Sequence, residues 1–176
     1  GNKKVRQEIN SGESQLTFTS TGQYAWTQNE DGTWKSGNYN VNNSTATMES
    51  DEFTIPNGTL TFDWSVSSES VNYDYAYYTI TNVKTGETIG DANTKIGGTS
   101  YGTGYNSLKF NSVEQKLNAG TYKISFTYRK DSSGHTGLDR AYVKNAKIAY
   151  EKIVEIPYLT DENGSLKIEN IEWGNY

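Results

Sequence analysis

In the segment GTLTFDWSVS, Leu60, Phe62, Trp64 and Val66 fall on one parity, and Thr61, Asp63 and Ser65 on the other. TYKISFTYRK repeats the pattern: Tyr122, Ile124, Phe126 and Tyr128 alternate with Lys123, Ser125, Thr127 and Arg129. A strand sends successive side chains to opposite faces. Both segments therefore predict antiparallel strands with one face on a core and the other in water. LTFTS, EFTI, YDYAYYTI and AYVKNAKIAY are further strand candidates. Asp31-Gly32 in EDGTW and Thr85-Gly86 in VKTGETI read as hairpin turns. No window carries a convincing helical period. Many short strands, spaced by about 8–15 residues, predict an all-β fold: an antiparallel two-sheet sandwich of jelly-roll type.

Two segments disturb the alternation. In RAYVKNAKIAY, Ala141 and Val143 share one parity, while Ala146, Ile148 and Tyr150 share the other. A β-bulge near Lys144-Asn145 reconciles them. After residue 150, EKIVEIPYLTDENGSLKIENIEW reads as an added hairpin turning at Asn163-Gly164, with Pro157 suited to an edge strand or strand end. The expected division is a sandwich domain over residues 1–150 and a hairpin extension over 151–176, which packs on the sandwich or leads to another domain. No internal repeat and no low-complexity linker is visible.

Composition changes the picture in three ways. The mean hydropathy of −0.80 suits a disordered chain, but aromatics make up 13% of the residues, and disordered chains are poor in them. The polarity comes from Ser, Thr, Asn and Gly, the residues of turns and wet strand faces. Sixteen basic against 21 acidic residues leave a net charge of −5. With no basic stripe to displace counterions, nucleic acid and anionic membranes are not expected partners. The absence of cysteine excludes disulfides and thiolate metal sites. No apolar run approaches the roughly 20 residues of a membrane span, so membrane insertion is not expected. No signal peptide is read, and the start GNKKVRQ leaves secretion open.

Three segments, taken together, resemble a known group. KSGNYNVNNSTATMES has a Ser-Gly-Asn turn before a strand. LTFDWSVSSESVNYDYAYYTI has a Ser-Ser-Glu turn and a Tyr-Asp-Tyr strand start. LNAGTYKISFTYRKDSSGHTGLDRAYVKNAKI combines Ala-Gly-Thr, Gly-x-Asp and a terminal strand. Over about residues 14–150 the order is similar to the jelly-roll "choice-of-anchor" domains of bacterial surface and secreted proteins. Those domains are distant relatives of MAM domains and of many carbohydrate-binding modules. The resemblance implies an extracellular sandwich serving adhesion or glycan binding, within a larger multidomain surface protein. It fixes no ligand. Where such domains commonly carry Asp-Asn in the last strand, this chain has Lys144-Asn145, so no acidic role is carried over there.

Candidate chemistry begins with catalysis. The lone histidine, His135, sits in the turn-rich KDSSGHTGLD, and no Gly-x-Ser-x-Gly elbow is present. It reads as a solvated loop residue rather than a triad member. A glycosidase needs only two carboxylates. Asp63, Glu69, Asp74, Asp131 and Asp139 lie near strand ends, but their spacing singles out no acid and no nucleophile. The expectation is a protein that is not an enzyme. Calcium takes oxygen ligands from loops. Glu69, Asp74 and Asp139, with Asp131, lie in the two loops most similar to the family pattern, which makes structural calcium the one expected cofactor. The alternative is that Glu69 and Asp139 pair with Lys130 or Arg140, or cap turns.

The aromatics carry the rest. Trp64, Phe62, Tyr122, Phe126 and Tyr128 fit inward strand positions. Trp26, Trp34, Tyr39, Tyr101, Tyr105 and Trp173 stand outside strict alternation. Tyr101 and Tyr105 lie in IGGTSYGTGYNSLKF, where Gly97, Gly98, Gly102 and Gly104 let the backbone bend in ways a Cβ would oppose. A sugar ring offers an apolar C–H face to an aromatic ring and a rim of hydroxyls to amides and charged groups. Trp26, Trp34, Tyr39, Tyr101 and Tyr105, with Gln28 and Lys35, are the expected carbohydrate-binding residues. The alternative is that these rings fold over one end of the sandwich. The leading functional expectation is a non-catalytic carbohydrate-binding domain of a secreted or cell-surface bacterial protein, taking a neutral polysaccharide, a starch-like glucan first. Flat crystalline cellulose asks for three exposed aromatics at alternate positions of one strand, and no such row is assigned. A protein-binding adhesin or structural spacer is the second expectation, and a glycoside-active enzyme the third.

Overall fold

The computed structural model describes residues 3–89, 94–97, 104–160 and 166–167. In chain order the strands are β1 (Lys3–Gln15), β2 (Phe18–Thr19), β3 (Thr27–Gln28), β4 (Trp34–Lys35), β5 (Thr45–Ser50), β6 (Phe53–Ile55) and β7 (Gly58–Ser67). There follow β8 (Tyr75–Asn82), β9 (Thr88–Ile89), β10 (Lys95–Ile96), β11 (Asn111–Leu117), β12 (Gly120–Arg129), β13 (Arg140–Thr160) and β14 (Leu166–Lys167). Among the described residues the only helical element is a 3-10 turn at Tyr105–Ser107. No described helix is long and apolar enough to cross a membrane.

The chain divides into a larger unit, residues 13–150, and a smaller one formed by residues 1–12 with 151–176. The sequence reading places residues 1–12 with the sandwich; in the structure they group with the C-terminal segment. The smaller unit contains most of β1 and the distal part of β13, two strands that pair. β14 lies antiparallel to β13, with Leu159 opposite Lys167 and Thr160 opposite Leu166. The expected turn at Asn163-Gly164 lies outside the described residues.

The larger unit is an antiparallel two-sheet sandwich. One sheet runs β11-β7-β13-β4-β3, and the other β10-β8-β12-β5-β2, with β6 on β12 and β9 on β8. The alternation explains the layering. Leu60, Phe62, Trp64 and Val66 of β7 are at most 2% exposed. They meet Ala76, Tyr78 and Ile80 of β8 and Tyr122, Ile124, Phe126 and Tyr128 of β12, all buried. Phe62 sits at the centre, 4.8 Å from Phe126 at 83° and 5.1 Å from Tyr78 at 74°. Those edge-to-face contacts suit the ring quadrupoles. Each such side chain contributes about 1.5–3 kcal/mol of burial.

The bulge lies where the parity break predicts it. Lys144 pairs with Asp63, but the next partners are Lys147 and Thr61. Asn145 absorbs the extra residue at φ 57°, a left-handed conformation that asparagine tolerates. Its amide donates to Asp63 Oδ2 at 2.8 Å. Ala141 and Val143 thus face the core before the bulge, and Ala146 and Ile148 after it. Arg140, Tyr142 and Lys144 occupy the opposite parity, on the outer face of the first sheet. The Thr85-Gly86 turn also forms, with Gly86 at φ 74° donating to Asn82 O at 2.8 Å.

Candidate functional site

The site begins with the short β3–β4 hairpin. Gly32 takes φ 86°, which a side chain would oppose. Asn29 N–H donates to Thr33 O at 2.8 Å, and Thr33 N–H donates to Asp31 Oδ1 at 3.0 Å. β4 docks on β13 with Lys35 opposite Tyr142 and Trp34 opposite Val143. Val143 faces the core, so Lys35 and Tyr142 share the outer face.

The 3-10 turn supplies the second wall. The Ser107 hydroxyl donates to Gly104 O at 2.7 Å and closes the turn. Tyr105 then reaches the hairpin: its hydroxyl donates to Asp31 Oδ2 at 2.7 Å, and its ring lies 5.5 Å from that of Tyr142, tilted by 60°. Arg140 forms the third wall. Its Nη1 donates to Ser36 O at 2.6 Å, and its guanidinium stands 3.9 Å from the Tyr39 ring centroid. Between these walls is a cleft of about 470 Å³, lined by Asn29, Glu30, Asp31, Lys35, Tyr105, Leu138, Arg140 and Tyr142.

The cleft combines fixed charge with neutral phenols. The Thr33 backbone N–H and the Tyr105 hydroxyl hold the Asp31 carboxyl below its ordinary value. Asp31 therefore stays an ionised acceptor. Burial pushes the Tyr142 phenol up to about 12, which keeps it protonated. Amide, ammonium, guanidinium and carboxylate groups surround the two tyrosines, a layout suited to hydroxyl-rich ligands.

The expected residues separate into groups. Tyr105 and Lys35 line the cleft. Tyr39 is 47% exposed and stacks on Arg140, itself a cleft residue. Gln28 donates its amide to Gly32 O at 3.1 Å, within its own turn. Trp34 is half-buried, edge-on to Phe18 at 6.0 Å, and packs against the core. Trp26 corrects the reading: it is 3% exposed and belongs to the core, so it presents no face to solvent. Its backbone N–H donates to Ser20 Oγ at 2.9 Å, which ties the segment before β3 down onto the sandwich. Tyr101 and Trp173 lie outside the described residues.

Glu30, Asp31, Leu138, Arg140 and Tyr142 are cleft residues that sequence reasoning did not assign to a binding site. For Arg140 and Tyr142 the signal was parity: with Ala141 and Val143 inward, both fall on the outer face, where Tyr142 is covered to 3% exposure and forms the floor of the cleft.

The acidic loops meet elsewhere in the larger unit. Glu69, Asp74 and Asp131 bring one carboxylate oxygen each within 4.8 Å of one another. Asp139 is not in this trio. Its Oδ1 accepts from Lys130 Nζ and the Tyr128 hydroxyl, both at 2.7 Å, and its Oδ2 accepts from Asn40 N–H at 2.6 Å. Assigning Asp139 to a metal is corrected accordingly; the expected alternative, pairing with Lys130, is what the structure shows. Lys130 Nζ also reaches Asp74 Oδ2 and Gly134 O, each at 2.9 Å, and its side chain is fully buried. Gly134 is at φ 96°, and a Cβ there would meet the Glu69 carboxylate oxygens at 2.5–2.6 Å. His135 Nδ1 stands 3.4 Å from Asp139 Oδ2.

No protein-family model matches the sequence, and no curated protein matches it. Solved structures do. The chain is similar to the secreted serine protease VesC from Vibrio cholerae, with 15% identity and a TM-score of 0.50 over 73% of this chain. It spans only 23% of that protease's length. The K3 cleaved adhesin domain of Lys-gingipain from Porphyromonas gingivalis aligns at 14% identity and a TM-score of 0.47, over 76% of this chain and 90% of that one. A variant family 29 carbohydrate-binding module complexed with mannohexaose aligns at 12% identity and a TM-score of 0.39, over 83% and 92%. At these identities the likeness is one of fold.

Proposed function

We propose that this chain is a non-catalytic carbohydrate-binding domain of a secreted or cell-surface bacterial protein. Its ligand is a neutral polysaccharide, a starch-like glucan first, held in the Tyr105–Tyr142–Arg140 cleft. The observation that carries the reading is the half-buried Tyr105 ring, set against the buried Tyr142 at the cleft floor, inside a rim of Asn29, Asp31, Lys35 and Arg140. The cleft volume falls in the range of small-ligand sites, roughly 300–1,000 Å³. Its cations and carboxylates balance, which favours an uncharged ligand. Asp31, held below its ordinary value, serves the ligand as an ionised hydrogen-bond acceptor.

The test is affinity electrophoresis against a panel of soluble neutral polysaccharides, with Tyr105→Ala and melting curves alongside. Retardation on a glucan that Tyr105→Ala loses while still folded supports the proposal. No retardation on any polysaccharide overturns it and favours an adhesin or spacer role. Release of reducing sugar overturns the non-catalytic part.

A second reading concerns structural calcium, with Glu69, Asp74 and Asp131 as ligands. It rests on Glu69 Oε1, which is buried with no hydrogen-bond partner. Asp74 and Asp131 lie beside it, and Asp74 shares the Lys130 ammonium with Asp139. An added cation relieves the repulsion among these carboxylates, and binding to the native state raises stability by mass action. Calcium is expected to raise the melting temperature of the wild type and leave Glu69→Gln unmoved. Equal behaviour of the two proteins in calcium and in chelator retires the idea.

A further inference from the structure

The cleft lies on the outer face of the first sheet. The outer face of the second carries a different set of groups. Along β8, Ala76, Tyr78 and Ile80 point inward, and Tyr75, Tyr77 and Thr79 stand half-exposed on the other side. The Tyr75 and Tyr77 rings are 6.0 Å apart, tilted by 42°. Arg129 of β12 lies opposite Tyr75 in the ladder, with its guanidinium 5.5 Å from that ring's centroid. Lys95 of β10 brings its ammonium to 4.2 Å from the same centroid. Both cations are exposed, and among the described residues neither has a carboxylate partner.

Two cations on one ring lie no more than about 10 Å apart, about one Debye length at 0.1 M salt and well inside it at lower salt. They repel one another. In a chain with a net charge of −5, neither cation is paired with a carboxylate among the described residues. Farther along the same strands, Glu49, Thr79, Thr81, Val83, Lys123 and Ser125 line a groove of about 250 Å³, where Lys123 neutralises Glu49 at 2.9 Å. From Tyr75 to Thr81 the face runs six residues of strand, about 20 Å, long enough for a polymer.

We propose that this face is a second binding surface, for an anionic, uronate-bearing polysaccharide. Arg129 on one flank of β8 and Lys95 on the other each take a carboxylate, one by a planar fork and one by a compact ammonium. Tyr77 meets the apolar side of a neighbouring sugar, and the Thr79, Thr81 and Ser125 hydroxyls bond its rim. An acidic peptide fits less well. Peptides gain affinity by pairing with a sheet edge, whereas β8 is an interior strand flanked by β10 and β12. The proposal does not depend on the cleft.

The experiment is isothermal titration of the whole chain with polygalacturonate at low and raised salt. Binding is expected at low salt and weakens as salt rises. The double variant Lys95→Gln with Arg129→Gln loses at least about tenfold in affinity, and Tyr105→Ala keeps wild-type affinity. Tyr77→Ala, which removes no charge, also weakens binding, and this guards against a double variant that melts early. Absence of binding at low salt overturns the proposal. So does an equal loss in Lys116→Gln, an exposed lysine on β11, because that reports charge alone.

Discussion

Lys130 is a charge with nowhere else to go. Its ammonium is fully buried and spends its hydrogens on Asp74, Asp139 and Gly134 O. Replacing it with methionine keeps the stem and strands two buried carboxylates, a loss of about 3–5 kcal/mol for broken buried pairs. Urea unfolding of Lys130→Met measures it; a change under about 1 kcal/mol means that water or a bound ion takes over its role. Glu69 is the neighbouring case, with its sign set by pH. Burial first, and then the Asp74 and Asp131 charges, raise its carboxyl above the ordinary value. A carboxyl raised in the fold takes a proton more readily there than in the unfolded chain. Its stabilising contribution is fully present below the unfolded pKa and is lost as pH rises through the folded one. Glu69→Gln keeps the neutral form throughout. In chelator, the variant is expected to melt above the wild type at neutral pH, with the gap closing as the solution is acidified. A gap that stays constant with pH rules out titration at Glu69.

At the scale of elements, the β3–β4 hairpin is where core and site part company. Trp26 enters the sandwich just before β3, while Lys35 and the turn at 29–31 face the cleft. Trp26→Ala is expected to cost about 3–5 kcal/mol of stability, as large-to-small core changes do. A folded Trp26→Ala with wild-type melting and lost glucan binding would restore the indole as a ligand platform. The contrast shows what the sequence reveals and what it hides. Strict alternation in β7 and β12 placed Leu60 to Val66 and Tyr122 to Tyr128 in the core, and a parity break located the bulge at Asn145. Each of those signals is local. GQYAWTQNEDG has no alternation, so nothing local says which way Trp26 turns; tertiary packing decides. The cleft joins residues 29–35, 105 and 138–142, three separate stretches that only the fold brings together. Tyr105 and Lys35 were found because their residue type is suggestive, and Tyr142 was missed because a tyrosine in a strand serves a core equally well. The same ambiguity hid Tyr75 and Tyr77, which follow Tyr73 at alternate positions.

For the whole molecule, the question is how much chain the binding surfaces need. Every residue of the core cluster falls between Leu16 and Tyr150, and so do both proposed surfaces. The larger unit, 13–150, also holds both ends of its closing contacts. Leu16 N–H donates to Ala146 O at 2.9 Å, and Lys147 reaches Glu13 at 3.4 Å. A unit of this size is large enough to fold on its own core. A chain of residues 13–150 is therefore expected to unfold cooperatively within a few degrees of the full chain and to bind the same polysaccharides with unchanged affinity. Thermal melts and affinity electrophoresis of the two chains side by side provide the check. If the shorter chain folds but loses the glucan, residues 1–12 or 151–176 contribute to binding, and the cleft alone is not the site.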